Sequence, residues 1–185
     1  MVEKFVLLDR DGVINQRIVD GYVTSWAQFV FLPGALDALR LLEQNKYTVL
    51  VLSNQAGVGK GLMTVLDLDE ITRRFRERVE EHGGRIRAVY YCPHRKADNC
   101  ECRKPKSGLL IKAQREHQFS FSETVLIGDS RADLLAAREV GCPAILIWND
   151  DPADLDKLGC RPRAVVSGLY EAVQLILSWA VPSRR

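Results

Sequence analysis

Short, unbroken apolar runs alternate with longer amphipathic stretches along this chain. The runs at 5–8, 47–53, 86–91, 124–127, 144–148 and 164–166 are rich in Val, Ile, Leu and aromatic residues and mostly lack polar alternation. Strands covered on both faces read this way. Between them the apolar period lengthens. Residues 35–45 follow a Pro33-Gly34 turn and place Leu36, Leu39 and Leu42 at three-residue spacing. Residues 67–82 set Ile71, Phe75 and Val79 four apart and stop at Gly83-Gly84; residues 132–140 stop at Gly141. A glycine there supplies the left-handed residue that ends a helix. Residues 169–180 carry Leu169, Val173, Ile176 and Leu177. Strand and helix in alternation predict an α/β fold, a doubly wound parallel sheet with helices on both faces and its chemistry in loops at the carboxyl ends of the strands. No repeat, low-complexity tract or linker divides residues 1–185, so a single domain is expected.

Composition narrows the partners. With 46% hydrophobic and 27% charged residues the chain is built to fold. Its net charge is only +2, with Lys and Arg spread along it and a terminal Arg184-Arg185 too short for a polybasic tail. Neither nucleic acid nor a membrane surface is expected as a partner. The first apolar run breaks at Asp9, Arg10 and Asp11, too early for a signal peptide or a membrane span, so a cytoplasmic location is expected. The five cysteines are an odd count, which argues for reduced thiols rather than a disulfide framework. Cys142 and Cys160 stand apart and read as inert; Cys92, Cys100 and Cys102 crowd around His94.

That crowd is the sharpest local signal. Cys92-Pro-His94, five residues, then Cys100-Glu-Cys102 offers three thiolates and one imidazole. Four such ligands complete a tetrahedral Zn2+ site with no open position, hence a structural one. The metal would pin a loop too poor in apolar side chains to pack itself, and would deliver the adjoining Arg103-Lys104-Pro105 rigidly.

Three predicted strands end in groups suited to metal or phosphate. The first ends in Asp9-Arg10-Asp11-Gly12, paired carboxylates that can hold Mg2+ through hard oxygen ligands. The second ends in Ser53-Asn54-Gln55-Ala56, followed by Gly57, Gly59, Lys60 and Gly61, a phosphate cradle of hydroxyl and backbone N–H groups. The fourth ends in Gly128-Asp129-Ser130, with Asp133 four residues on. Each alone also reads as something simpler: a solvated turn, a glycine-rich connection, a helix N-cap by Asp129 or Ser130. Three strands ending in such groups are hard to obtain by chance.

The joint pattern resembles the haloacid dehalogenase-like (HAD) phosphatase superfamily, whose motifs are an acidic DxD, a Ser or Thr, a Lys and an acidic GD. Here these are Asp9/Asp11, Ser53, Lys104 and Asp129; Val13 departs from the Thr of many members. The resemblance covers residue 5 to about residue 148, with no room for a large cap domain. It implies Asp9 as nucleophile, Asp11 as general acid and base, Ser53 and Lys104 as holders of the phosphoryl group, and Mg2+ on Asp9, the main-chain carbonyl of Asp11, and Asp129. The zinc loop followed by Cys-Arg-Lys-Pro is similar to two branches, one acting on heptose 1,7-bisphosphate at its 7-phosphate and one on histidinol phosphate. Gly21-Tyr22-Val23 ahead of Phe29 and Phe31, the 53–61 stretch and a single-domain chain favour the heptose branch. That branch implies a monomeric enzyme in nucleotide-activated heptose biosynthesis, serving a lipopolysaccharide core or a related surface glycan, with a phosphorylated sugar as its small-molecule partner. Asp20, Gly21, Tyr22, Ser53, Asn54, Gln55, Ala56, Lys60, Arg103, Lys104 and Ser130 are the expected substrate contacts. A reading of another class, a non-catalytic zinc-stabilised binding module, is opposed by the intact Asp9, Asp11, Ser53, Lys104 and Asp129.

Overall fold

In β1 (Lys4–Leu8), Val6 and Leu8 face one core while Phe5 and Leu7 face the other, so the strand must lie between two layers. A computed structural model describes residues 3–180; the first two residues and 181–185, including Arg184 and Arg185, lie outside the described residues. β1 joins β2 (Tyr47–Asn54), β3 (Ala88–Cys92), β4 (Val125–Gly128), β5 (Ala144–Ile147) and β6 (Ala164–Val166) in a six-stranded sheet of order β3-β2-β1-β4-β5-β6. Every pairing is parallel. Helices α1 (Ala35–Gln44), α3 (Val65–Glu81) and α6 (Leu169–Ala180) cover one face; α4 (Gly108–His117) and α5 (Arg131–Glu139) cover the other. A short α2 (Ala56–Gly59) follows β2. No helix among the described residues is long and apolar enough to cross a membrane.

The chain leaves β1 toward β2 and β3 and returns on its other side as β4. The order therefore reverses between β1 and β4, and a crevice opens beyond their carboxyl ends, where such sheets bind ligands. Asp9 follows β1 and Asp129 follows β4, so the topology sets the two carboxylates side by side; the Asp9 N–H donates to the Ile127 carbonyl at 2.9 Å.

Between β1 and α1 the chain folds into a flap in place of a cap domain. Asn15 bridges to Asp11 and to Phe31, and the Gln16 N–H donates to the Val30 carbonyl at 2.8 Å. Val13, Ile14, Val23 and Phe29 bury themselves beneath it. Phe29 stacks on Phe75 of α3 with ring centroids 5.6 Å apart.

Element boundaries differ from the sequence expectation where side chains intervene. α3 starts at Val65 rather than at residue 67, because Thr64 caps it: the Asp67 N–H donates to Thr64 Oγ1 at 3.1 Å and the Asp67 carboxylate accepts from the Thr64 N–H at 2.8 Å. The 86–91 strand slips to Ala88–Cys92, with Ile86 inserted into the core ahead of it. α4 has no counterpart in the periodicity, since only Leu109, Leu110 and Ala113 of its ten residues are fully buried.

Phe75 is wholly buried and is the flap's aromatic seat. Phe75→Ala is expected to lower unfolding free energy by about 3–5 kcal/mol, the usual cost of a large core truncation. Urea titration of the variant measures it; a loss under about 1 kcal/mol would show that the flap is not seated there.

Candidate active site

A buried cation organises the crevice. Lys104 is 3% exposed, and its Nζ donates to the Leu52 carbonyl at 2.8 Å, lies 3.0 Å from Asp9 Oδ1 and is bonded to Asp133 Oδ1. Burial pulls the ammonium pKa down, but Asp133 and then Asp9 outweigh it and leave Lys104 firmly protonated. Its backbone is held from fifty residues away. Asn54 Nδ2 donates to the Lys104 carbonyl at 3.0 Å, and the Lys104 N–H donates to Asn54 Oδ1 at 3.1 Å.

Asp133 is the residue that sequence reasoning missed as part of this site. Its carboxylate accepts from the Ser130 N–H and hydroxyl at 3.2 and 2.5 Å, closing the capping box of α5, and its other oxygen takes Lys104. The Ser-x-x-Asp spacing signalled the cap; nothing local signalled the lysine.

Asp11 is held by donors on three sides. Arg10 Nη2 reaches both carboxylate oxygens at 3.0 Å, Asn15 Nδ2 donates at 2.8 Å and Gln55 Nε2 at 2.6 Å. Arg10 is fully buried, and its guanidinium lies 5.9 and 5.7 Å from the ring centroids of Phe29 and Tyr91. A buried guanidinium needs such a partner, since unpaired burial of charge is prohibitive. Gly12 turns the chain at φ +88°, and a Cβ there would fall 2.1 Å from Asp129 Oδ2, so only glycine lets Asp129 approach.

Oxygens of Asp9, Asp129 and Asp133 lie within 4.8 Å of one another. Burial, followed by the neighbouring carboxylates, raises Asp9 to about 6 against the pull of Lys104, and raises Asp129 to about 7. Crowded hard oxygens of this kind suit a small divalent cation.

Asp9, Asp11, Ser53, Lys104 and Asp129 line one pocket of about 250 Å³, with Gly21 and Tyr22 of the flap and with Asn54, Arg103 and Ser130. Lys104 points inward, whereas Arg103 stays half-buried at the rim with its Nη1 donating to the His94 carbonyl at 3.3 Å. Four expected substrate contacts are not in the lining. Gln55 is fully buried, donating to Asp11 and, at 3.0 Å, to Ser53 Oγ, so it positions two pocket groups from behind. Ala56 is buried at the start of α2. Asp20 sits exposed at a φ of 54°, outside the pocket lining. Lys60 rests its ammonium over the Tyr22 ring, 5.1 Å from the centroid.

The thiol cluster assembles beside this pocket. Cys92 Sγ lies 3.5 Å from Cys100 Sγ and 3.7 Å from His94 Nδ1; Cys102 Sγ lies 3.5 Å from Cys100 Sγ and 3.3 Å from His94 Nδ1. Zn–S bonds of about 2.3 Å and tetrahedral angles require S···S edges of about 3.8 Å. The four atoms thus lie near the corners of a tetrahedron of the size a zinc ion would need, with Nδ1 as the imidazole atom that faces the thiols. Gly108 lets the loop lie on α4, since a Cβ there would meet the Glu101 carbonyl oxygen at 2.3 Å.

A family model described as HAD-hydrolase-like matches residues 101–172. A D-glycero-beta-D-manno-heptose-1,7-bisphosphate 7-phosphatase of Neisseria meningitidis serogroup A is 40% identical over 84% of this chain and 83% of its own. The protein of that name from Pseudomonas putida is 38% identical over 98% of both chains. The chain belongs to the heptose-1,7-bisphosphate 7-phosphatase family. Membership makes it a phosphoric monoester hydrolase of the HAD superfamily. A solved family structure, the D,D-heptose 1,7-bisphosphate phosphatase of Bordetella bronchiseptica complexed with magnesium and phosphate, superposes with a TM-score of 0.90 at 32% identity, covering 95% of this chain and 99% of that one.

In this family member, removing the Asp133 carboxylate would leave a buried ammonium with Asp9 as its remaining counter-ion and would break the carboxylate half of the α5 capping box. Asp133→Ala is expected to destabilise by about 3–5 kcal/mol, read by denaturant unfolding. A cost below about 1 kcal/mol would mean that Lys104 does not depend on Asp133.

Proposed function

We propose that this chain hydrolyses the 7-phosphate of D-glycero-D-manno-heptose 1,7-bisphosphate through a phospho-aspartate intermediate. The observation that carries the reading is the end-to-end match, over 98% of both chains, with the Pseudomonas putida protein that bears that name. A carboxylate, a buried lysine and a serine converging on one strand-end pocket support it.

In this reading a carboxylate oxygen of Asp9 attacks phosphorus in line, and Asp11 gives its proton to the departing alkoxide. Asp11 then takes a proton from the water that cleaves the phospho-aspartate. Ser53 and Lys104 hold the phosphoryl oxygens, where charge builds in transfer. Gln55 donates to Ser53 Oγ, which leaves the serine's own O–H free to donate to a phosphoryl oxygen. Asp9, Asp129 and the main-chain carbonyl of Asp11 would hold Mg2+, which when bound offsets the repulsion between carboxylate and phosphate. Cys92, His94, Cys100 and Cys102 would hold a structural Zn2+ that fixes Arg103 and Lys104. Gly21, Tyr22, Asn54 and Ser130 are left to meet the sugar, and Arg103 at the rim suits the phosphate that stays behind, since its fork grips a phosphate bidentately.

Steady-state kinetics on paired phosphate esters test the assignment. Asp9→Asn and Asp11→Asn should abolish turnover while the protein stays folded; more than a trace of activity in Asp9→Asn would remove the covalent mechanism. Arg103→Ala should lower the specificity constant for the bisphosphate by about tenfold to a hundredfold and spare the matching monophosphate, whereas Lys104→Ala should impair both. Equal losses for Arg103→Ala, or a wild-type preference for histidinol phosphate, would defeat the substrate reading.

For zinc, elemental analysis of protein purified without added metal should find about one atom per chain, and Cys100→Ser should lower both that content and the melting temperature. Full activity and unchanged melting in a zinc-free preparation would rule the structural role out.

A further inference from the structure

The charges of the crevice are paired off in an uneven way. Lys104 is committed to Asp9 and Asp133, and buried Arg10 to Asp11. That leaves Asp129, whose ion-pair partner among the described residues is Arg17, Nη1 to Oδ2 at 3.3 Å. The pair is unlike the other two. The Arg17 side chain is 57% exposed, and it spends one N–H of a five-donor fork on a long contact. Its backbone, by contrast, is anchored by the flap, since the preceding Gln16 donates its N–H to Val30. Arg17 and Asp129 together stand in the wall between the 250 Å³ pocket and a neighbouring cavity of about 780 Å³.

A divalent cation bound to Asp129 neutralises the carboxylate and sets a second positive charge beside the guanidinium, whichever oxygen it takes. Such a cation therefore loosens the hold on Arg17, which has a backbone anchored by the flap, an exposed side chain and an unfilled fork at the mouth of the pocket. We propose that Arg17 is a phosphate-binding residue of this chain that shields Asp129 before the metal arrives and passes to the phosphoryl group afterwards. The inference rests on the phosphatase reading of the pocket but not on which sugar carries the phosphate. Metal and phosphate then bind with positive coupling, because Mg2+ releases the side chain that phosphate needs.

Two titrations with zinc-replete protein test it, one with Mg2+ alone and one with inorganic phosphate on the Mg2+-loaded enzyme. Arg17 is surface-exposed, so Arg17→Gln is expected to fold. The variant should bind Mg2+ roughly two- to fivefold more tightly, since it has lost a partly exposed competitor. It should bind phosphate about tenfold more weakly or worse. Arg17→Lys keeps the charge and should return Mg2+ affinity to the wild-type value. Unchanged or weaker Mg2+ binding in Arg17→Gln would overturn the proposal, as would unchanged phosphate binding, or a lysine variant that binds Mg2+ as the glutamine variant does. If the enzyme proved selective for an ester other than the heptose bisphosphate, both titrations would still read out, so failure of the substrate reading and of this one are distinguishable.

Discussion

The buried ammonium of Lys104 is the constraint around which the site is arranged. A lysine that is 3% exposed survives only if its charge is matched; Asp9 matches it from the end of β1 and Asp133 from the first turn of α5, while the Leu52 carbonyl takes a third N–H. This one group thereby joins β1, β2 and α5, and it ties them to the loop that bears the thiol cluster. Because the lysine is a compact point charge on a flexible stem, its backbone has to be fixed separately. The paired Asn54 contacts supply that, with the thiol cluster behind them.

A second buried cation plays the complementary part on the other side. Arg10 lies between two aromatic rings and spends its fork on Asp11, which Asn15 and Gln55 also hold. The two successive carboxylates thus sit in different electrostatic settings. Asp9 shares a lysine with a second acid and is raised by burial; Asp11 is surrounded by donors. The proposed division of labour, one attacking and one moving protons, falls on two carboxylates with different neighbours.

Much was legible in the chain. Unbroken apolar runs marked the strands because a parallel sheet buries both faces, and the glycine stops marked helix ends because only glycine takes the left-handed turn without strain. Asp9, Asp11, Ser53 and Asp129 were legible because strand ends are where the fold exposes its backbone. The clustering of Cys92, His94, Cys100 and Cys102 was legible because eleven residues of one loop are short enough to bring the four together. α4 was not, because its buried face rests on Leu109, Leu110 and Ala113 alone, too short a stretch to stand out from the loop ahead of it.

Local spacing and residue chemistry were enough for the alternation of layers, the acidic strand ends and the cluster of three cysteines and a histidine. Tertiary structure alone decided which groups meet. Asp133 reaches Lys104 across 29 positions, Asn54 across 50 and Arg17 reaches Asp129 across 112. It also turned Gln55 inward and seated Lys60 on Tyr22, away from the lining where their neighbours in sequence stand. The physical reason is that pairing energies depend on distance and burial in space. A chain's own periodicity carries no record of either.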